Sequence, residues 1–242
     1  MARIRYDVSI FLNVPFDEEY KPIFETLIFA VHDCGFVARS TLESDDATEV
    51  RIQKLYQLIA ESKYGIHDIS RTGLDEKNHL PRFNMPLELG VFLGAKRFGG
   101  ARHRNKRALV LDREPYRYQK FCSDIAGQDI QTHYNRKREA IRCVRNWLHR
   151  GPEVTGRILP SADYIYERYQ KFRRQLPKLC NKFGLKAKDL QFNDYTALIY
   201  AWLNANPRWD DKRVKLNKDS KMPVLAQRLF NENMFSGRVD DF

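Results

Sequence analysis

The chain is poor in the features that mark a metal centre or a disulfide framework. Its four cysteines (Cys34, Cys122, Cys143, Cys180) are scattered, with no C-x-x-C pair, and its six histidines contain no i, i+4 pair. No metal site and no resident cofactor are expected, and isolated thiols of this kind suit the reducing cytoplasm. No apolar run approaches the roughly 20 residues that a membrane-spanning helix needs, so no membrane partner is expected. The opening Met1-Ala-Arg-Ile-Arg-Tyr-Asp7 leads straight into a strand-like run rather than the charged-then-apolar order of a secretory signal. There is no internal repeat. Phe98-Gly-Gly100 lacks the strand–GxxxxGK[ST]–helix order of a phosphate loop.

What is present points to a packed protein. With 43% hydrophobic and 12% aromatic residues in 242, the chain can bury a sizeable core, which excludes disorder throughout. The net charge of +11 is unevenly spread. Residues 1–100 carry 12 Lys+Arg against 15 Asp+Glu, or −3, which leaves 30 against 16, or +14, for 101–242. A basic half implies an anionic partner such as nucleic acid, a nucleotide or an acidic protein, or else a plain basic surface.

Hydrophobic periodicity organises the first 150 residues. Residues 8–14 form a continuous apolar strand, ended by Pro15-Phe16, and 18–34 a helix with Phe24, Leu27, Ile28 and Val31 on one face, closed by Gly35. A short strand over 36–40 precedes an amphipathic helix over 50–60, in which Ile52, Leu55, Tyr56 and Ile59 recur at helical spacing. Strands follow at 63–68 and 106–112, a short edge strand within 122–132, and a helix at 135–149. Between Asp68 and the next helix lies a long polar loop, 69–83, with Gly73 and Asn78, which has the length of a functional lid. Alternation of this kind predicts an α/β fold: a flavodoxin-like open parallel sheet of four or five strands flanked by helices. After Gly151-Pro152 the pattern becomes helical. One helix spans 162–183, kinked or ended near Pro177, and another, rich in aromatics, spans 194–204. The expected organisation is an α/β domain over 1–150 and a helical, basic appendage over 151–242, whose Tyr195–Trp202 stretch reads as core or interface.

The stretch 82–97 is the centre of the arrangement. It reads as a buried helix with Asn84 as N-cap and Pro86 near the first turn, where a missing N–H costs nothing. Leu87, Val91 and Ala95 fall on one stripe. Glu88 is the single carboxylate of that apolar start: either a solvated first-turn residue stabilised by the helix dipole, or a working group.

In open parallel sheets, ligands bind beyond the carboxyl ends of the strands where strand order reverses. There this reading places Asn13, Pro15 and Phe16 after the first strand, Arg39 and Ser40 after the second, Asp68 after the third, and Glu88 behind Asn84 and Met85. Carboxylates accept from vicinal hydroxyls, Phe16 stacks on a base and Arg39 meets a phosphate, a set that suits a ribose-containing ligand. His67 faces the opposite side of its strand from Asp68 and reads as structural.

Three segments, Phe11-Leu-Asn-Val-Pro-Phe16, His67-Asp-Ile-Ser70 and Asn84-Met-Pro-Leu-Glu-Leu-Gly90, resemble the nucleoside 2-deoxyribosyltransferase-like group. That group is related in fold to the NAD-cleaving Toll/interleukin-receptor (TIR) domains. The resemblance covers roughly residues 8–150 and implies that Glu88 is the catalytic nucleophile and that Asp68 assists the departing base. The loop after Asp68 departs from the family pattern, with Arg71-Thr-Gly-Leu-Asp75 in place of a plain polar segment, and the region after 150 has no counterpart in the small transferases. For Asp68, a turn cap or an ion pair with arginine stands as the alternative, and for Asn13 and Asn84 a loop or cap role.

Three functions follow as expectations. The first is an N-glycosidase acting on NAD or a related nucleotide, as substrate rather than cofactor, in bacterial anti-phage defence, with the appendage driving oligomerisation or binding a partner. The second is a metabolic nucleoside or nucleotide deoxyribosyltransferase or hydrolase. The third is a non-catalytic nucleotide sensor or nucleic-acid-binding module.

Overall fold

A computed structural model describes residues 5–44, 46, 48–74, 82–155 and 158–208. The middle of the expected 69–83 lid and the chain beyond 208 lie outside the described residues.

Five parallel strands form one sheet in the order β2-β1-β3-β4-β5: β1 Ser9–Asn13, β2 Val37–Arg39, β3 Tyr64–Asp68, β4 Arg107–Asp112 and β5 Gln131–Thr132. This is the flavodoxin-like order, with its reversal between β1 and β3. The register pairs Asn13 with His67 and Asp68 with Leu111, so the carboxyl ends of the central strands are level. Every residue of β1 and β3 is buried, and for β1 this is why the sequence reads as a continuous apolar run rather than an alternating one.

Helices α1 (Lys21–Asp33) and α5 (Lys137–His149) cover one face; α2 (Arg51–Glu61) and α3 (Asn84–Phe98), followed by the short α4 (Ala101–Arg104), cover the other. Helix α1 ends in a Schellman motif. Phe36 N–H donates to the Val31 carbonyl and Gly35 N–H to that of His32, with Gly35 at φ 85°, a conformation open to a residue without Cβ.

Two details of α3 differ from the sequence reading. Phe83, not Asn84, precedes the first helical residue, and no side chain caps it. The start is held instead by Asn13, which donates to the Met85 carbonyl at 2.9 Å, and by burial of the Met85 side chain. Nor is α3 buried all round. Met85, Leu89 and Phe92 face the sheet while Leu87 is 59% exposed, because an outer-layer helix has one apolar partner surface only.

The region after 150 packs as a third layer. Helices α6 (Ala162–Lys182) and α7 (Phe192–Ala205) lie against α1 and α5, and one continuous core runs from Ile10 and Leu12 through Phe29 and Ile141 to Phe172, Leu198 and Trp202. Phe172 sits with its ring centroid 5.4 Å from Phe29, 5.7 Å from Tyr195 and 5.8 Å from Trp202, so the aromatic stretch is core. The expected appendage therefore shares its hydrophobic core with the sheet. Helix α6 runs through Pro177 rather than ending there. The lost backbone bond is outweighed by the burial of Leu176, Leu179 and Cys180 around it. A buried ion pair, Arg168 Nη2 to Asp33 Oδ1 at 3.1 Å, ties α6 to the end of α1. No helix among the described residues is long and apolar enough to cross a membrane.

Candidate functional site

Side chains alternate along a strand, so neighbours at the end of β3 leave opposite faces of the sheet. His67 points toward α3, its ring 4.8 Å from Phe92. Asn13 Nδ2 lies 3.0 Å from His67 Nδ1, and since an amide nitrogen can only donate, the ring proton sits on the other nitrogen, Nε2. Burial, with the nearby charge of Lys106, lowers the His67 pKa to about 3, and burial alone lowers that of His32 to about 4. The strand must be glycine at 65 to admit this ring: a Cβ there would lie 2.5 Å from His67 Nε2.

These histidines predict acid sensitivity. In the unfolded chain each takes a proton near its ordinary value of 6.5, whereas the folded protein stays neutral down to about 4 and 3. The unfolded state then binds more protons across that window, so stability falls as pH falls below 6.5. The loss is about 2 kcal/mol per histidine by about pH 5. Urea unfolding at both pH values checks this: the difference should shrink by about that amount in His67→Gln, and an unchanged difference rejects the assignment.

Asp68 points the other way. Its carboxylate is wholly buried, accepting from Tyr20 Oη at 2.5 Å and from Ser70 N–H at 2.9 Å, with His133 Nε2 at 3.0 Å in a poorly aligned contact. Asn135 N–H donates to His133 Nδ1, so the proton of that ring lies on the nitrogen facing Asp68. Burial pushes the Asp68 carboxyl upward, but His133, Ser70 and Tyr20 together hold it below the ordinary carboxylate range. The same burial, with the charge of Asp68, drives Tyr20 well above its ordinary value, so the phenol keeps its proton and donates. Removing it in Tyr20→Phe is expected to destabilise the fold by about 1.5–3 kcal/mol, the range for a hydrogen bond to a charged group. The urea midpoint measures this, and an unshifted midpoint rejects it.

Glu88 lies on α3, on the opposite side of the sheet from the Asp68 carboxylate. It is half-buried, burial raises its pKa to about 6 against the lowering charge of Arg51, and it forms no hydrogen bond or ion pair among the described residues. The structure thus does not bring the two carboxylates together as partners on one face. It leaves Glu88 partly open and Asp68 closed.

The remaining predicted residues divide. Phe16, 39% exposed, and Asn84 line the open crest, and Pro15 and Met85 are buried beneath it. Arg39 and Ser40 are already engaged. Arg39 Nε contacts both Glu43 oxygens at 2.8 and 2.9 Å and its Nη2 reaches Glu61 at 3.4 Å, while Ser40 forms a capping box with Glu43. With 8% exposure and two carboxylates, Arg39 is not a ready phosphate ligand. Arg71, bonded to Asp17 at 3.1 Å and Glu19 at 2.5 Å, is the cation nearer the crest. Asp112, closing β4, is held by Arg117 at 2.7 Å, and that guanidinium also donates to the Ile69 carbonyl at 2.7 Å. Tyr20, His133 and Arg117 escaped the sequence reading because their partners are 48, 65 and 5 residues away, at no recurring motif spacing.

Comparison of the chain with protein-family models, with curated proteins and with solved structures gives no match. The geometry itself defines an open α/β protein with an exposed aromatic ring, Phe16, after β1 and, on α3, a half-buried carboxylate, Glu88, that has no hydrogen bond or ion pair among the described residues.

Proposed function

We propose that the protein cleaves the N-glycosidic bond of NAD or a closely related nucleotide in the reducing cytoplasm. The carrying observation is Glu88, a carboxylate placed where burial raises its pKa to about 6 and which, apart from the nearby charge of Arg51, has no hydrogen bond or ion pair among the described residues. Groups shifted in this way without a structural partner are functional-site candidates. As the C1′–N bond of NAD breaks, its electron pair leaves with nicotinamide, which departs neutral and needs no proton. The ribose is left as an oxocarbenium-like cation that ionised Glu88 stabilises or traps, and water then adds at C1′ and loses a proton. Phe16 supplies a ring on which a base stacks.

Asp68 narrows the substrate. A purine nucleoside needs a proton on its departing base, and Asp68, buried and held ionised, is a poor donor. Its role in this reading is to fix the end of β3. The resemblance to the TIR-like group adds anti-phage defence as the setting, with the helices after 150 binding a partner or driving assembly. Purified protein incubated with NAD, AMP and deoxyadenosine, with products resolved by HPLC, is expected to release nicotinamide and leave the purine nucleoside intact. Nicotinamide release absent from a folded sample overturns the reading.

A further inference from the structure

At the amino end of the sheet, the starts of β3 and β4, the end of α3 and the turn after α4 border an open cleft of about 520 Å³, lined by Lys63, Lys96, Arg104, Asn105, Lys106 and Arg107 among others. Five basic residues and no acid line it; the Lys106 ammonium is turned inward, leaving Lys63, Lys96, Arg104 and Arg107 as the cations a ligand would meet. We propose that this cleft binds a linear oligophosphate, either free or as the tail of a nucleotide.

The charges have few internal partners. Lys63 alone is matched, by Glu153 and more distantly by Asp7 at 4.0 Å. The Lys106 ammonium, fully buried, donates to the carbonyls of Ile59 and Ser62, and Arg107 donates to that of Arg150 at 3.0 Å; carbonyls orient a cation but do not neutralise it. Lys96, Arg104, Lys106 and Arg107 therefore have no carboxylate partner among the described residues. Burial and the neighbouring Arg102 charge lower the Lys106 pKa to about 8, the expected mark of cations lacking a counter-ion.

Shape and chemistry select the ligand. The volume lies within the roughly 300–1,000 Å³ of small-molecule sites. No aromatic ring lines the cleft, so it lacks the stacking platform of a single-strand nucleic-acid reader. Guanidinium forks and ammonium point charges match the non-bridging oxygens of consecutive phosphates.

Isothermal titration of the full chain with sodium tripolyphosphate and with ATP tests this. Saturable binding is expected for both, weakening as salt rises from about 50 to about 250 mM. Lys96→Ala/Arg104→Ala, both exposed positions, should weaken it at least about tenfold, a fold-change of about 1.4 kcal/mol, without moving the unfolding midpoint. Equal affinity for the two ligands assigns recognition to the phosphate chain alone, and tighter ATP binding assigns it to a nucleotide tail. Absence of saturable heat for both, unchanged affinity in the double variant, or an oligonucleotide that binds without competition from tripolyphosphate overturns the proposal. The cleft lies at the far end of the sheet from Glu88, so Glu88→Gln should leave this binding intact whatever becomes of turnover.

Discussion

Glu88→Gln is expected to lower NAD turnover by a few hundredfold while making the protein more stable at pH 7. The rate loss follows from removing one preorganised charge beside a developing sugar cation, about 3–4 kcal/mol. The stability gain follows from linkage. The folded-state pKa of Glu88 is about 6 against an ordinary 4.5, so between these values the folded protein binds more protons than the unfolded one. Stability therefore falls as pH rises through that window, and the deficit is complete at pH 7. Glutamine removes the charge and the deficit with it, a gain of about 1 kcal/mol once solvent screening of a partly exposed side chain is allowed for. Wild-type activity should accordingly rise with pH through about 6 as Glu88 ionises. Turnover and urea unfolding measured on the same samples decide the matter. A variant that turns over normally rules Glu88 out as the working carboxylate, and one that melts early returns it to a structural role.

A chain ending at Arg150 is expected to be insoluble or to lack a cooperative unfolding transition. Such a deletion strips α6 and α7 from α1, exposing Phe29, whose ring packs 5.4 Å from both Tyr169 and Phe172 and 5.8 Å from Trp202. It also leaves Asp33, buried, without Arg168. The single substitution Phe172→Ala gives the graded form, a loss of about 3–5 kcal/mol by the usual cost of emptying a buried aromatic site. A soluble truncated chain with a sharp transition would make the region after 150 a separable layer.

Much of the architecture was legible because burial patterns are local. Two-sided burial of β1 writes itself as an unbroken apolar run, and the one-sided packing of α2 and α5 as a 3–4 repeat. These periods set the strands, the flanking helices and their order along the chain, hence a parallel sheet, while the position of the switch point between β1 and β3 is given by the strand order of the structure. The choice of Asn13 and Asp68 as crest residues rests on the same logic, since each ends a strand at the carboxyl edge, whereas Phe16 follows in the loop after β1 and Glu88 is the fifth residue of α3.

Pairing was not legible. Arg39 reads in sequence as a free cation after a strand, yet a one-turn capping segment brings Glu43 back onto it and α2 supplies Glu61. Asp68 and Glu88 read as companions because both belong to the same edge, but strand alternation sends the Asp68 carboxylate to the α1 side while α3 packs on the other. Nor does a basic half reveal a cleft. Lys63, Lys96, Arg104 and Arg107 come from four segments that meet only when the sheet forms.

The sequence by itself determined the element types, their order and the parallel sheet, since a strand or helix records the environment of its own side chains at periods of two and 3.6 residues. Only the tertiary structure decided which acid is buried and held by hydrogen bonds and which is left half-open. That outcome depends on desolvation and on partners such as Tyr20, His133 and Arg51, which approach through space from other elements and leave no periodic trace in the chain.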